Sequence, residues 1–287
     1  MQDTENYKTI YISGTEKASV RFLYNTIPGR ILLKLLIRTP VSKLAGSLLR
    51  SPASRLFIKR FIKQNNIDME EYRSATFKSF DDFFIREIKH GCRPISENEY
   101  DVIAPCDSKL TVYPINEGSV FKIKHSIYSI EDLLQDKKLA DEFSGGVCLI
   151  FRLTPDDYHR YIYIDDGNIL QQKKIKGLLH TVQPIAYHSC NVFCRNTREY
   201  TVVQTKTFGK VIQIEVGALF VGKISNHGKN HTVIRGEEKG MFQFGGSTII
   251  LLFRKDIVEI EATIYENTMQ NKESIVRMGC KVGSRRH

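Results

Sequence analysis

From Asp101 onward the chain is a series of short β-branched and aromatic runs, and no other feature constrains its fold as strongly. Val147–Leu153, Tyr161–Ile164, Thr201–Thr205, Lys210–Gly217 and Gly240–Phe253 are the clearest of them. Turn-forming residues part the runs, as at Asp166-Gly167 and His227-Gly228. Runs of that length bounded by such residues read as antiparallel strands with few helices between them. The first 95 residues differ. Apolar groups recur at helical spacing over residues 18–67: Leu32, Leu35, Leu36, then Leu44, Leu48, Leu49, then Leu56, Phe57, Phe61. Pro28, Pro40 and Pro52 cut this stretch into short pieces, because proline is tolerated at a helix start and not in its interior. Ser79 three residues before Asp82, and Ser129 three before Asp132, carry the helix N-cap signature. Residues 1 to about 17 read as an exposed strand or tail. The expected fold is therefore α+β: basic amphipathic N-terminal helices over residues 1–95, then a mostly antiparallel, β-rich body over 96–287. A chain of 287 residues allows one large unit or two small ones, and its core needs no disulfide or metal staple.

Net charge is +10, and the excess is confined to one segment. Between Ala18 and Ile67 stand ten bases (Arg21, Arg30, Lys34, Arg38, Lys43, Arg50, Arg55, Lys59, Arg60, Lys63) and no acid. Outside it 32 bases face 32 acids. The six cysteines are scattered and form no Cys-x-x-Cys, which suits reduced thiols rather than a secreted disulfide framework. The N-terminus is polar and acidic and does not read as a secretory signal. No apolar run approaches the roughly 18 residues of a membrane span.

Three stretches could carry chemistry. In Phe244-Gly245-Gly246-Ser247-Thr248 two glycines and a serine interrupt a strand-like run. On its own this marks a bulge or a close backbone approach. It also suits a backbone that must be attacked, since nothing on Gly246 hinders addition of the Ser247 hydroxyl to its carbonyl. In Arg152–Tyr161 an Asp-Asp-Tyr-His-Arg sequence follows a buried-looking strand, and His159 has the side chain suited to acid and base work near neutrality. Alone it reads more readily as structural than as catalytic. In Ile103–Ser108 an aspartate, Asp107, follows a proline turn, the ordinary setting of a surface turn.

Taken in chain order, these stretches resemble the phosphatidylserine decarboxylase family, with its Pro-x-Asp-Gly, Asp-Tyr-His-Arg and Gly-Ser-Thr motifs. Ser79–Ile95, Lys124–Leu134, Thr181–Ile185, Asn196–Glu199, Val216–Ile224 and Arg235–Gly240 also match in order. The resemblance implies a proenzyme whose body is catalytic. Ser247 would attack the Gly246 carbonyl, cutting the chain into a β chain, 1–246, and an α chain that begins with a pyruvoyl group made from Ser247. That group, the cofactor, would decarboxylate phosphatidylserine to phosphatidylethanolamine through a Schiff base. No metal is implied. The family's processing serine is served by a His and an Asp. Asp107 matches the Asp, although Ser108 follows it where the family has glycine. His159 matches the first His of the family's His-Arg-x-His, but the second position is Ile162. Either His159 serves both processing and turnover, or His180, oriented by Asp107, takes the processing role as the favoured replacement; a half-buried core histidine is the other reading of His180. His188, His227 and His231 read as surface residues.

The ten bases interleaved with Leu, Ile and Phe suit the surface of an anionic membrane, where each contributes on the order of 1 kcal/mol. The expected location is peripheral, on the cytoplasmic face of the cell membrane. Nucleic acid is not an expected partner, since no binding motif is present. Two other readings remain open at this point: an uncleaved, inactive homologue that binds membranes, and a pyruvoyl decarboxylase of a soluble amino acid.

Overall fold

The computed structural model describes residues 7–12, 18–37, 46–74, 76–123, 126–187, 191–218, 223–228, 231–243 and 247–286. Its strands, in chain order, are β1 (Thr9–Tyr11), β2 (Asp101–Ile103), β3 (Ser108–Pro114), β4 (Val120–Ile123), β5 (Ser126–Ser129), β6 (Val147–Leu153), β7 (Arg160–Ile162), β8 (Gly167–Ile175) and β9 (Arg198–Thr205). There follow β10 (Gly209–Gly217), β11 (Lys223–Asn226), β12 (Thr232–Val233), β13 (Glu238–Gln243), β14 (Ser247–Phe253), β15 (Val258–Ile260), β16 (Lys272–Val276) and β17 (Lys281–Arg285). One nine-stranded sheet runs β1-β16-β3-β6-β14-β10-β9-β8-β12. Two three-stranded sheets, β11-β13-β7 and β15-β17-β2, and the hairpin β4-β5 complete the set. The pairings between these strands are antiparallel. The fold is α+β, as the sequence pattern requires.

β6 and β14 lie at the middle of the large sheet and are buried along their whole length. Both faces are covered, which is why neither alternates: β6 is apolar except at Arg152, and β14 from Ile249 onward. Leu149, Phe151 and Leu153 of β6 and Ile249, Leu251 and Phe253 of β14 enter a core shared with Tyr161, Ile162, Ile224 and Phe242 of the small β7/β11/β13 sheet. We call this layer the interlayer. Cys148, Ile150, Ile250 and Leu252 point the other way. There they join Phe121, Tyr128, Leu133 and Phe193.

The helices α1 (Ala18–Asn25) and α2 (Ile27–Leu36) pack Leu23, Tyr24 and Leu33 into that second core. Pro28 stands in the first turn of α2, where Thr26 Oγ1 accepts the Gly29 N–H at 3.1 Å. Pro52 opens a 3-10 turn, Pro52–Phe57, that runs into the helix Ile58–Asn65. Pro40, Arg38 and Lys43 lie outside the described residues. Both expected serine caps are present: Ser79 Oγ accepts from Asp82 N–H and Ser129 Oγ from Asp132 N–H, each at 3.2 Å. A small third core of Ile58, Phe77, Phe80, Phe83 and Phe84 lies under residues 52–84.

Two stretches differ from the sequence reading. β8 was not signalled, because it is an outer strand whose Gln171, Gln172 and Lys174 face solvent and leave no apolar run. The Gly240–Phe253 run is not one strand: β13 ends at Gln243 and β14 begins at Ser247, while Phe244, Gly245 and Gly246 lie outside the described residues.

Candidate active site

Ser247 is the first residue of β14, set between Gly217 of β10 and Leu153 of β6. Its side chain shares the interlayer face with Ile249 and is fully buried. Among the described residues its Oγ has no hydrogen-bond partner, nor has Oγ1 of the buried Thr248. A buried hydroxyl left unpaired costs about 1–3 kcal/mol, so its retention calls for a chemical reason.

His159 lies in the loop between β6 and β7 and is also fully buried. Its ring packs on Phe84 with centroids 4.1 Å apart, and Nδ1 stands 2.9 Å from the Asp157 carbonyl oxygen. A carbonyl only accepts, so Nδ1 carries the hydrogen and Nε2 presents its lone pair. Nε2 has no partner. Burial, and then the Arg86 guanidinium, push the His159 pKa down to about 3, so the ring is neutral at pH 7.

The loop that holds His159 is built by residues the sequence reading passed over. Asp157 accepts from Thr154 N–H at 2.6 Å and from Lys109 Nζ at 2.7 Å. Burial lifts its pKa to about 6 against the pull of Lys109. Arg86 is 2% exposed and lies over the rings of Tyr72 and Phe83. Its Nη2 donates to the Asp156 and Asp157 carbonyls at 3.3 Å each. The charged residues inside otherwise apolar stretches were the signal for these contacts.

Asp107 and His180 are not brought together, which corrects the expectation that one orients the other. The Asp107 carboxylate is held by Arg93, from Nε at 2.8 Å and Nη2 at 2.6 Å, and by the Met278 N–H at 2.8 Å. Glu71 takes a further bond from Arg93 Nη2 at 2.9 Å. A permanently charged, forked guanidinium outcompetes a neutral imidazole for a buried carboxylate. His180 instead sits under α1. Its Nδ1 is 3.4 Å from Tyr24 Oη and its N–H donates to Asn196 Oδ1 at 3.0 Å. Burial, and then Arg195, lower its pKa. Ser108 is a buried strand residue opposite Val276, so the turn needs no glycine there. Ile162 is an interlayer residue whose N–H donates to the Pro105 carbonyl at 3.0 Å. His227 pairs with Glu238 at 2.6 Å near the surface, His231 is exposed, and His188 lies outside the described residues.

Comparison with known proteins points to one family. The family profile described as phosphatidylserine decarboxylase matches residues 80–284. A phosphatidylserine decarboxylase proenzyme 2 of Clostridium acetobutylicum is 48% identical over 96% of this chain and 95% of its own. A phosphatidylserine decarboxylase proenzyme of Clostridium perfringens is 39% identical over 98% and 97%. One of Fusobacterium nucleatum is 37% identical over 99% and 96%. With the profile spanning most of the chain, and relatives 37–48% identical over nearly its full length, the chain belongs to the phosphatidylserine decarboxylase family.

Proposed function

We propose that this enzyme, which converts phosphatidylserine to phosphatidylethanolamine, first cuts itself between Gly246 and Ser247 and uses a pyruvoyl group made from Ser247. The observation that carries this reading is the Ser247 hydroxyl, fully buried at the head of a central strand and without a hydrogen-bond partner among the described residues. It has the residue type, the position and the unspent bonding capacity that a pyruvoyl precursor needs.

Oγ adds to the Gly246 carbonyl carbon, and its proton passes to the Ser247 nitrogen as the C–N bond breaks, leaving an ester. Removal of the Ser247 α-proton then expels Gly246 as a carboxylate. Water enters and ammonia leaves, so that the new N-terminus carries a ketone. The pyruvoyl carbonyl supplies an electron sink for the bond that breaks when CO2 departs. His159 handles the substrate's protons. Neutral Nε2 takes the proton shed by the substrate's ammonium and returns it to the carbon that CO2 leaves. The Nδ1–H bond to Asp157 holds the ring in the tautomer this requires.

The N-terminal segment is the membrane contact in this reading. Half of the exposed large apolar side chains among the described residues fall between Phe22 and Phe57, including Ile27, Ile31, Leu48 and Leu56. They alternate with Arg21, Arg30, Lys34, Arg50 and Arg55. Apolar groups inserting shallowly beside bases suit peripheral attachment to the anionic cytoplasmic leaflet, where phosphatidylserine is itself an anionic lipid. No described helix is long and apolar enough to cross a membrane.

Intact mass of the purified chain tests the proposal. Wild type should give a 41-residue fragment, 247–287, blocked at its N-terminus, while Ser247→Ala should stay full length and release no CO2. A wild-type chain that remains whole yet decarboxylates would overturn it.

A further inference from the structure

With Ile162 standing where the family has a histidine, and Asp107 bound to Arg93, the His and Asp that the resemblance assigns to the Ser247 proton are not assembled, and His159 is already given to the substrate's protons. The interlayer contains a proton acceptor that the reading above does not use. Glu215 of β10 and Lys239 of β13 are both fully buried, with side chains 0% exposed and Oε1 and Nζ 2.5 Å apart. Gly217 pairs with Ser247, and Glu215 with Ile249, so Glu215 and Ser247 lie on the same face of neighbouring strands. They are diagonal neighbours, which on an antiparallel pair sit about 7–8 Å apart, within reach of a long side chain.

Lys239 is placed there by a β-bulge. Glu238 pairs with Ile162 and Gly240 with Tyr161, which leaves Lys239 as the extra residue between them. A bulge re-aims the side chain it carries. The pair therefore lies in the same layer as position 162 and on the Ser247 face of the sheet, on strands that flank the cleavage segment. Its other neighbours close the network. Asn226 Nδ2 donates to Glu215 Oε2 at 3.3 Å and to Glu199 Oε2 at 3.1 Å, and Tyr161 Oη donates to Asn226 Oδ1 at 2.9 Å.

Stability does not account for this arrangement. Replacing a buried ion pair by apolar residues of similar volume is often neutral or stabilising. Here a second carboxylate, Glu199, also directly opposes Glu215, an unfavourable cross-strand placement. We propose that the Glu215–Lys239 pair handles the Ser247 proton during self-cleavage, in the role that a histidine at position 162 would fill. Glu215 takes the Oγ proton as Oγ bonds to the Gly246 carbon, and the proton passes to the Ser247 nitrogen as the C–N bond breaks. Lys239 stays beside the carboxylate as its counter-cation. Burial pushes Glu215 up and Lys239 down, so their shared proton is held less one-sidedly than in an exposed pair.

The inference rests on the self-cleavage reading, and its test separates the two. The chain is made by cell-free synthesis and the loss of full-length protein is timed on denaturing gels. Glu215→Leu/Lys239→Met, which removes both charges together, should slow cleavage at least about 100-fold, the range of a general base. Adding Ile162→His should restore it. Folding is checked by melting the same variants in a Ser247→Ala chain. If the double variant does not fold, Glu215→Gln replaces it, and the same slowing is expected with a flattened pH profile of cleavage. The groups that face Glu215 and share that profile are Lys239, Glu199, Tyr161, Tyr163 and Cys106. Cleavage by the folded variant within about twofold of wild type would overturn the inference and leave self-cleavage standing. Slowing that Ile162→His does not relieve would also overturn it, since the pair would then only shape the strands. A wild-type chain that never cleaves would overturn both.

Discussion

Replacing His159 by glutamine should make the fold less sensitive to acid. The ring is fully buried, and its pKa lies near 3 in the folded chain against 6.5 when it is free. Below pH 6.5 the unfolded chain therefore binds a proton that the folded chain refuses. Stability falls with pH from that point, and the loss stops growing near pH 3. At 1.36 kcal/mol per pH unit, the loss from pH 7 to pH 4.5 is about 2.5 kcal/mol. For a chain of this size that corresponds to a drop of about 5–10 °C in the melting midpoint.

Other groups titrate in the same window, and one has the opposite sign. Asp157, lifted to about 6 by burial, holds a proton in the folded chain that it loses on unfolding, so it favours the fold as pH falls. Comparing two proteins that both retain Asp157 removes this contribution. The assay is urea unfolding from pH 7 to pH 4.5 for Ser247→Ala and Ser247→Ala/His159→Gln, the serine change keeping every sample a single chain. The gap between the two stability curves should change by about 2.5 kcal/mol over that range. Parallel curves would refute the reasoning, because they would mean that His159 titrates alike in both states.

Asp107→Ala should lower stability by about 3 kcal/mol, the small end for breaking a buried pair, because Glu71 remains on Arg93; melting of the Ser247→Ala chain would show it. His180→Ala should cleave within about twofold of wild type on a denaturing gel and lose about 1 kcal/mol in urea unfolding, since its ring nitrogen faces only Tyr24 among the described contacts. Arg30→Glu/Lys34→Glu should weaken sedimentation with anionic vesicles at least about 30-fold at low salt, at about 1 kcal/mol per base, and the loss should shrink as salt is added.

The strands that were legible in the sequence are those buried on both faces. β6 coincides with the Val147–Leu153 run because a central strand with cores on either side is apolar except at Arg152, whose buried charge is met by Glu273. The Ser79 and Ser129 caps were legible because the interaction spans only three residues. Ser247 and His159 were also local signals, a glycine pair before a serine and a histidine after a strand. The Asp107–Arg93 and Glu215–Lys239 pairs were not, because each joins strands or loops whose adjacency only the folded sheet creates. A trace of the second was visible. Gln213 and Glu215 alternate with Ile212, Ile214 and Val216 in a strand expected to be buried, and polar residues on one face of such a strand require partners from another layer. The Asp107 setting was misread because the motif position suggested a histidine partner, while the nearest unspent charge in space belonged to Arg93.

The position of Ser247 within the sheet determines what becomes of the two pieces after the cut. The α chain would begin at Ser247, and β14 pairs with β10 from Gly217 to Val211 on one side and with β6 from Leu153 to Val147 on the other. Ile249, Ile250, Leu251, Leu252 and Phe253 are each fully buried between the two cores. At about 1.5–3 kcal/mol for each such side chain, with the extended-chain reference making this an upper bound, these residues alone hold the α chain by on the order of 10 kcal/mol. Cutting one peptide bond at the head of the strand removes none of those contacts. The new N-terminus therefore stays between β10, which carries Glu215, and β6, which leads into the His159 loop. A group used once for cleavage and another used at every turnover can then serve the same residue from different neighbours. The mature protein should elute from size-exclusion chromatography as one species containing both chains, and its two chains should part only in denaturant, at the same urea concentration that abolishes activity. Release of the α chain under native conditions would show that the ladder around β14 does not hold it.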